Sequence, residues 1–222
     1  MFTFDTDVIT TGSNVSLFIL GTLMGGSLWI KSWWKTRNKH KKEGTDLDQV
    51  EMLDNRIHDL LGALRENLMA DRATVVKFHN GGDFFDGTSR QKVTCTHESV
   101  SAGFLALRSI HIEIPISQLS PIIRKMLKNP GERYTVADLP DGYAKSDMTA
   151  LGISDAVIYP ITFTGMGGSE KIIGYVGVHW VKSFPENIPD DKWDRANQIV
   201  GSITSVIQNR TFIEEGNEDD KE

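Results

Sequence analysis

The sequence predicts an α+β domain, in which a mostly antiparallel sheet packs against N- and C-terminal helices, preceded by one transmembrane helix. Val8 to Ile30 contains no charged residue, which is typical of a membrane segment. An apolar stripe with helical spacing begins at Val50, and a second amphipathic helix closes the chain. Between the two helices lie five apolar segments of strand length, and the last two are joined by a glycine-rich loop.

Length and composition limit the function classes. A chain of 222 residues has room for one ordinary domain plus appendages. The net charge of -6 argues against nucleic-acid binding, which requires a basic surface. One cysteine excludes an internal disulfide and a four-thiolate zinc site, and is typical of a reducing compartment.

Residues 14–34 are predicted to span the membrane as a helix. The stretch is long enough to cross the hydrocarbon core, and Trp29, Trp33 and Trp34 lie where an interfacial aromatic belt is expected. A secretory signal peptide is the alternative, but it needs basic residues before the apolar run. Here Asp5 and Asp7 precede it.

The charge distribution predicts the orientation of this span. Six basic residues follow the uncharged stretch that ends at Ile30 and none precedes it, so the positive-inside rule places residues 1–13 outside and the C-terminal domain in the cytoplasm. We therefore expect a single-pass protein of the cytoplasmic (inner) membrane. Gly21 and Gly25 form a G-x-x-x-G pair that favours helix dimerisation in the membrane. The basic residues predicted to face the membrane surface, within the segment 35–45 or just before it, are Lys31, Lys35, Arg37, Lys39, Lys41 and Lys42.

The first helix of the globular domain is predicted to begin at Thr45 or Asp46. Its apolar residues fit either a helix that covers a sheet face or a short coiled-coil seam, and one helix can do both. The domain is predicted to span residues 46–213, followed by an acidic, disordered tail at 214–222. The apolar stripe of this first helix consists of Val50, Leu53, Ile57, Leu60, Leu61, Leu64 and Leu68.

The remaining order is two strands, a helix, a strand, a short helix, a hairpin and a long helix. The hairpin "SDAVIYPITFTGMGGSEKIIGYVGVHWV" and the helix "PDDKWDRANQIVGSITSVI" resemble the end of a GAF domain, a sensory module related to PAS domains. The order of the elements already lets the two terminal helices pack together on one sheet face. The resemblance covers 46–213 and implies that a small ligand can bind on the other face. It supports a fold more than a function.

Two further resemblances concern tailed phages. "FHNGG", followed by "QKVTCTHE", looks like a subset of GAF-like phage proteins. Some large phages also encode a holin with one N-terminal span and a PAS- or GAF-like C-terminal domain. Those holins place the domain in the periplasm, which is opposite to the topology predicted from the basic residues here.

The stretch from Lys77 to Glu98 gathers most of the reactive side chains. Cys95 and His97 are two apart in a predicted strand, so we expect them on the same face. Without an oxyanion-hole motif they are a weak catalytic pair, and no catalytic residue is assigned. A metal site from His79, Cys95, His97 and Glu98 is also disfavoured, because no tight ligand motif is present. No cofactor is predicted.

A small-molecule pocket is the remaining interpretation of this region. It would lie between the sheet and the segments that cover it, and it would combine aromatic side chains with a few polar groups. A packed core of the same aromatics is the structural alternative. The residues predicted to line the pocket are Phe78, His79, Phe84, Phe85, Cys95, His97, Phe104, Tyr143 and Tyr159.

The sequence thus predicts a non-enzymatic, membrane-anchored sensory or protein-interaction module. We expect a homo-oligomer, most simply a dimer, with a small ligand or a protein as further partner. Two alternatives remain open, a phage-type holin that permeabilises the membrane and a small metal- or thiol-dependent enzyme.

Overall fold

The computed structural model describes residues 47–83, 89–164, 170–181 and 183–216. The chain divides into two compact units, Met1–Glu51 and Met52–Glu222, and the sheet with most of its helical cover lies in the second. The predicted transmembrane segment, its glycine pair and the basic residues after it lie outside the described residues. Within the described residues, no helix is long and apolar enough to cross a membrane.

The elements follow the predicted order. Helix α1 covers residues 47–67 and is followed by strands β1 and β2. A short helix, α2, ends at Lys128, immediately before the Asn129-Pro130-Gly131 stop that the sequence places there. The later elements are β1 (Arg72–Asp83), β2 (Ser89–Val100), β3 (Ile114–Pro115), α2 (Ser120–Lys128), β4 (Arg133–Thr135), α3 (Tyr143–Ala150), β5 (Ile153–Thr164), β6 (Glu170–Val181) and α4 (Asp190–Gly216).

Six strands form one antiparallel sheet in the order β3-β2-β1-β6-β5-β4. The predicted hairpin is the β5–β6 pair, which runs in register from Ile153↔Val181 to Thr164↔Glu170 with two irregularities. The prediction of an antiparallel sheet is confirmed. Helix α4 continues to Gly216, three residues beyond the predicted end of the domain at 213.

The terminal helices cover one face of the sheet, which we call the helical face. Burial every three to four residues along each helix aligns apolar side chains with those of the central strands. Trp180 is 1% exposed there, and its Nε1 donates a hydrogen bond to the Leu68 carbonyl, 3.3 Å away. The expected shared face is confirmed. The helices contribute Ile57, Leu61, Leu64, Ile199, Ile203 and Ile207, and the strands contribute Val75, Val157, Ile161, Val176 and Val178.

The opposite face, which we call the cavity face, is covered by α2, α3 and the segment between β2 and α2. Ile122 and Met126 of α2 and Met148 of α3 pack here against strand residues. Burying this second apolar layer closes a three-layer domain, helices over sheet over short helices. The strand residues of this layer include Val76, Val93, Cys95, Ala156, Ile158 and Tyr175.

A β-bulge in β2 changes which side chains reach each face. Val75 pairs with His97 and Val76 pairs with Cys95, so Thr96 is an extra residue outside the strand register, although its hydroxyl donates to the Val75 carbonyl. The two sides of the bulge therefore alternate out of phase. Cys95 follows Val76 onto the cavity face, while His97 follows Val75 onto the helical face.

Candidate functional site

A small cavity lies on the cavity face, between the sheet and the cover formed by α2 and α3. Its volume is about 40 Å³. Because one water needs roughly 10–15 Å³ measured this way, the cavity holds a few waters and no drug-sized molecule. Its apolar walls come from Val76, Leu107, Leu119, Ile122, Met148, Leu151, Ile153 and Ile158, and its polar groups from Thr74, Cys95, His111, Tyr134, Asp147, Tyr175 and His179.

His179 is a strongly perturbed basic group of the cavity wall. It lies on β6 and is 7% exposed, and burial lowers its pKa to about 3, with nearby Arg72 acting in the same direction. The imidazole is therefore neutral at physiological pH. Its Nδ1 has no hydrogen-bond partner among the described residues. A buried polar atom without a partner is costly, so this nitrogen is a natural contact for a water or a ligand.

Gly177 makes room for this imidazole. A Cβ at this position would lie 3.1 Å from His179 Nε2 and 3.0 Å from Thr74 Oγ1. Any side chain at 177 would therefore push against both polar groups of the cavity wall. The glycine is required by space rather than by backbone conformation.

Arg72 lies next to His179, since the two residues pair across β1 and β6. It is 1% exposed, and desolvation lowers its pKa, although the charge of Glu98 opposes the shift. Its Nε lies 2.9 Å from Glu98 Oε1, so the two side chains form an ion pair. The angle at Nε lies outside hydrogen-bond geometry. The Nη2 group donates a hydrogen bond to the Leu105 carbonyl. Nη1 has no partner among the described residues. A buried guanidinium is thus only partly satisfied beside the cavity.

Glu98 connects this ion pair to the segment that covers the sheet. Its carboxylate accepts hydrogen bonds from the backbone N–H groups of Leu107, at 2.9 Å, and Arg108, at 3.1 Å. A second contact closes the cover, because His111 Nε2 lies 3.0 Å from Asp147 Oδ2 of α3. The cover is therefore held by polar contacts at two points.

Cys95 is a buried residue of the cavity wall. Burial raises the pKa of its thiol to about 12, and the charge of Glu98 adds to the shift. Since the thiolate is the reactive form, the thiol is inert at neutral pH. The expectation that Cys95 and His97 share a face is wrong, because the bulge at Thr96 separates them onto opposite faces of the sheet.

His97 instead connects β2 to the terminal helices. Its Nε2 lies 3.1 Å from Asp54 of α1, and the same carboxylate accepts a hydrogen bond from Arg210 of α4. Burial lowers the pKa of His97, and the hydrogen bond to Asp54 opposes that effect. The residue ties both helices to the sheet edge.

The residues predicted to line a pocket do not form one wall. Phe78 and Cys95 lie on the cavity face, where the Phe78 ring packs edge-on against Tyr175 with centroids 6.1 Å apart. Tyr159 belongs to the core of the helical face. Tyr143 is 41% exposed at the start of α3.

The other predicted pocket residues are dispersed as well. His79 bonds to Thr94 Oγ1 at 2.8 Å, and Phe104 is half-buried in the turn after β2. Phe84 and Phe85 lie outside the described residues. The bulge also separates His97 from Cys95 of the candidate metal set, and no group of three potential metal ligands occurs in the described ranges.

Most polar residues of this region were missed by sequence reasoning, among them the charged or titratable side chains of Arg72, His111, Asp147 and His179. A signal was present for two of them. Arg72 is the first residue of an apolar strand, and His179 is a polar residue within the apolar run "GYVGVHWV". Because polar residues on buried strands are usually paired, both positions indicate a polar contact inside the fold. Nothing in the spacing indicates that His111 and Asp147 meet.

The comparisons with known proteins concern the fold. No protein-family model matches the sequence, and no curated protein is similar to it. Among solved structures, the blue-light-absorbing form of the PixJ GAF domain of Thermosynechococcus elongatus superposes with a TM-score of 0.55 at 17% identity. That match covers 78% of this chain and 95% of that one.

Two further structures agree with this match. The phycoerythrobilin-bound GAF domain of a cyanobacterial phytochrome gives a TM-score of 0.52 at 18% identity, covering 77% of this chain and 92% of that one. A far-red cyanobacteriochrome photoreceptor gives 0.51 at 17%, covering 78% and 98%. At these identities the likeness concerns the fold, and the antiparallel sheet with its helices has the α+β fold of a GAF domain.

Proposed function

We propose that the domain is a non-enzymatic sensory module that binds a small ligand in the cavity beneath α2 and α3. The observation that carries the proposal is the buried, neutral His179 in the wall of this mostly apolar cavity, whose Nδ1 has no hydrogen-bond partner among the described residues. The inert thiol of Cys95, separated from His97, supports a binding rather than a catalytic role.

The size of the cavity suggests how occupancy is signalled. A ligand larger than a few waters requires that α3 move outward, and this movement breaks the contact between His111 and Asp147. Ligand binding then shifts the cover between a closed and an open position. Because Glu98 holds the segment around Leu107, the displacement is confined to the α3 side of the cover.

Bilins are suitable first probes because some fold neighbours are phycoerythrobilin- and phycocyanobilin-bound. The test adds phycocyanobilin to the purified full-length chain and records native mass spectra with and without it. It also compares a cavity-filling variant, His179→Phe. A bound mass, either co-purified or bilin, that His179→Phe loses supports the proposal. If the wild-type chain carries no bound mass under either condition, the cavity neither opens for a bilin nor retains a co-purified ligand, and the proposal is overturned for both.

We also propose that residues 14–34 anchor the module in the cytoplasmic membrane with the domain on the cytoplasmic side, as a homodimer aided by Gly21 and Gly25. The charge asymmetry around the span supports the orientation. A reporter fused to the C-terminus tests it, and activity of a periplasm-only reporter would overturn it. Light scattering of the detergent-solubilised chain tests the dimer.

A further inference from the structure

A second concave site lies at the sheet edge, between the terminal helices and the segment after β2, and Cys95 is the one described residue that lines both this site and the cavity. β3 pairs only with Lys92 and Val93 of β2. Beside the next residues of β2, from Thr94 to His97, runs an open groove of about 490 Å³. That volume falls within the range of small-molecule pockets, which the cavity of about 40 Å³ does not reach.

The groove is basic although the chain is acidic. Lys77, Arg108 and Arg210 line it, and Asp54 is the one carboxylate among its lining residues, so the formal charge of the groove is three positive minus one negative, or +2. The whole chain carries -6. A concave surface of one sign focuses the local field and raises the local concentration of anions.

Arg210 and Arg108 differ in how their guanidinium groups are held. Asp54 holds the Arg210 guanidinium and also bonds to His97, which fixes Arg210 at the groove wall. The Arg108 side chain is exposed and makes no hydrogen bond or ion pair with any described residue, while its backbone is fixed by Glu98. The groove therefore combines one pre-positioned guanidinium with one that is available for a ligand.

The remaining lining groups suit a ligand that has both an anionic and an apolar part. The Thr96 hydroxyl lies beside the basic residues but already bonds to His97 Nδ1 at 2.9 Å, so a ligand would have to compete for its proton. Ile112, which is 57% exposed, contributes an apolar surface at the rim. Phosphate oxygens accept hydrogen bonds from guanidinium, ammonium and hydroxyl groups alike.

We propose that this groove binds a phosphomonoester attached to a partly apolar group. A phosphomonoester carries about -1.5 to -2 charge at neutral pH, which matches the +2 of the groove. Arg108 and Lys77 contact the phosphate, and Arg210 supports it from the helix side. The site is independent of the cavity ligand and of its function. The same chemistry occurs in a soluble metabolite and in a lipid headgroup.

The test measures binding by calorimetry on the full-length chain in micelles of an uncharged detergent. The probes are glycerol 3-phosphate, which is soluble, and lysophosphatidic acid, which partitions into the micelle. The variants are Arg108→Gln and Lys77→Gln, with Arg124→Gln as the matched control. Arg124 is an exposed arginine of α2 outside the groove. Circular dichroism confirms that each variant is folded.

The expected result is binding that weakens about tenfold or more in Arg108→Gln and in Lys77→Gln, and is unchanged in Arg124→Gln, because each lost charge-assisted hydrogen bond contributes that much. If the two groove variants weaken the binding of glycerol 3-phosphate, the ligand is a soluble metabolite. If they weaken the binding of lysophosphatidic acid alone, the ligand is a lipid headgroup. Failure of both probes to distinguish Arg108→Gln from Arg124→Gln overturns the proposal.

Discussion

Acidification should destabilise the domain through His179. The native state buries the neutral imidazole with a pKa of about 3, whereas an exposed histidine in the unfolded chain has a pKa near 6.5. Below pH 6.5 the imidazole is protonated in the unfolded state but stays neutral in the native state. The stability contributed by the neutral form is thus complete above pH 6.5 and is lost as the pH falls from 6.5 towards 3.

The size of this effect at pH 5 depends mainly on the unfolded state. At pH 5 the protonated form of the imidazole outnumbers the neutral form about thirtyfold in the unfolded chain. This ratio lowers the free energy of unfolding by about 2 kcal/mol. The figure hardly changes for any native pKa below about 4. For a domain of this size it corresponds to a decrease in Tm of roughly 4–8 °C.

The assay is urea unfolding of the full-length chain at pH 8 and pH 5, for wild type and for His179→Gln. Carboxylates also titrate in this interval, so the readout is the difference between the two proteins. We expect the variant to lose about 2 kcal/mol less than wild type. His79→Gln, a histidine outside the cavity, serves as control. An identical loss in wild type and His179→Gln would falsify the burial of a neutral imidazole.

Three further outcomes are expected. Cys95 should resist iodoacetamide at pH 8 in the native chain and react in urea, because its thiol is buried with a pKa of about 12; equal rates would contradict this. Gly177→Ala should lower the free energy of unfolding in urea by about 1–3 kcal/mol, because its Cβ would lie 3.0 Å from Thr74 Oγ1. Gly201→Ala is the matched control: its Cβ has no atom within 4 Å, so it should stabilise α4 by about 0.5–1 kcal/mol. Ile203→Ala, at a fully buried position, should cost about 2–5 kcal/mol, and a loss below 1 kcal/mol would place α4 off the sheet.

The predicted elements agree with the structure where periodicity is strong. The stripe from Ile57 to Leu68 and the run from Ile199 to Ile207 both lie on the helical face, because a 3.6-residue period leaves only one side of a helix apolar. The β5–β6 hairpin follows equally from its two apolar strands. The anchor at 14–34 remains a prediction, since it lies outside the described residues.

The site was predicted less well, for a geometric reason. A strand read by strict alternation places Cys95 and His97 together, yet one extra residue, Thr96, reverses every side chain beyond it. A bulge of this kind carries no periodic signature. The same limitation applies to Tyr159, whose face depends on register in β5 rather than on its residue type.

The sequence by itself determined the order of the elements, the two-helix cover of the sheet and the basic flank of the predicted span, because these depend on local periodicity and on charge. Tertiary structure alone decided which polar groups meet. His179 becomes a neutral imidazole because the folded domain buries it, and the pairing of β6 with β1 adds the charge of Arg72 beside it. Arg210 reaches Asp54 across 156 positions. Such contacts depend on strand register and helix packing, which join residues that are distant along the chain.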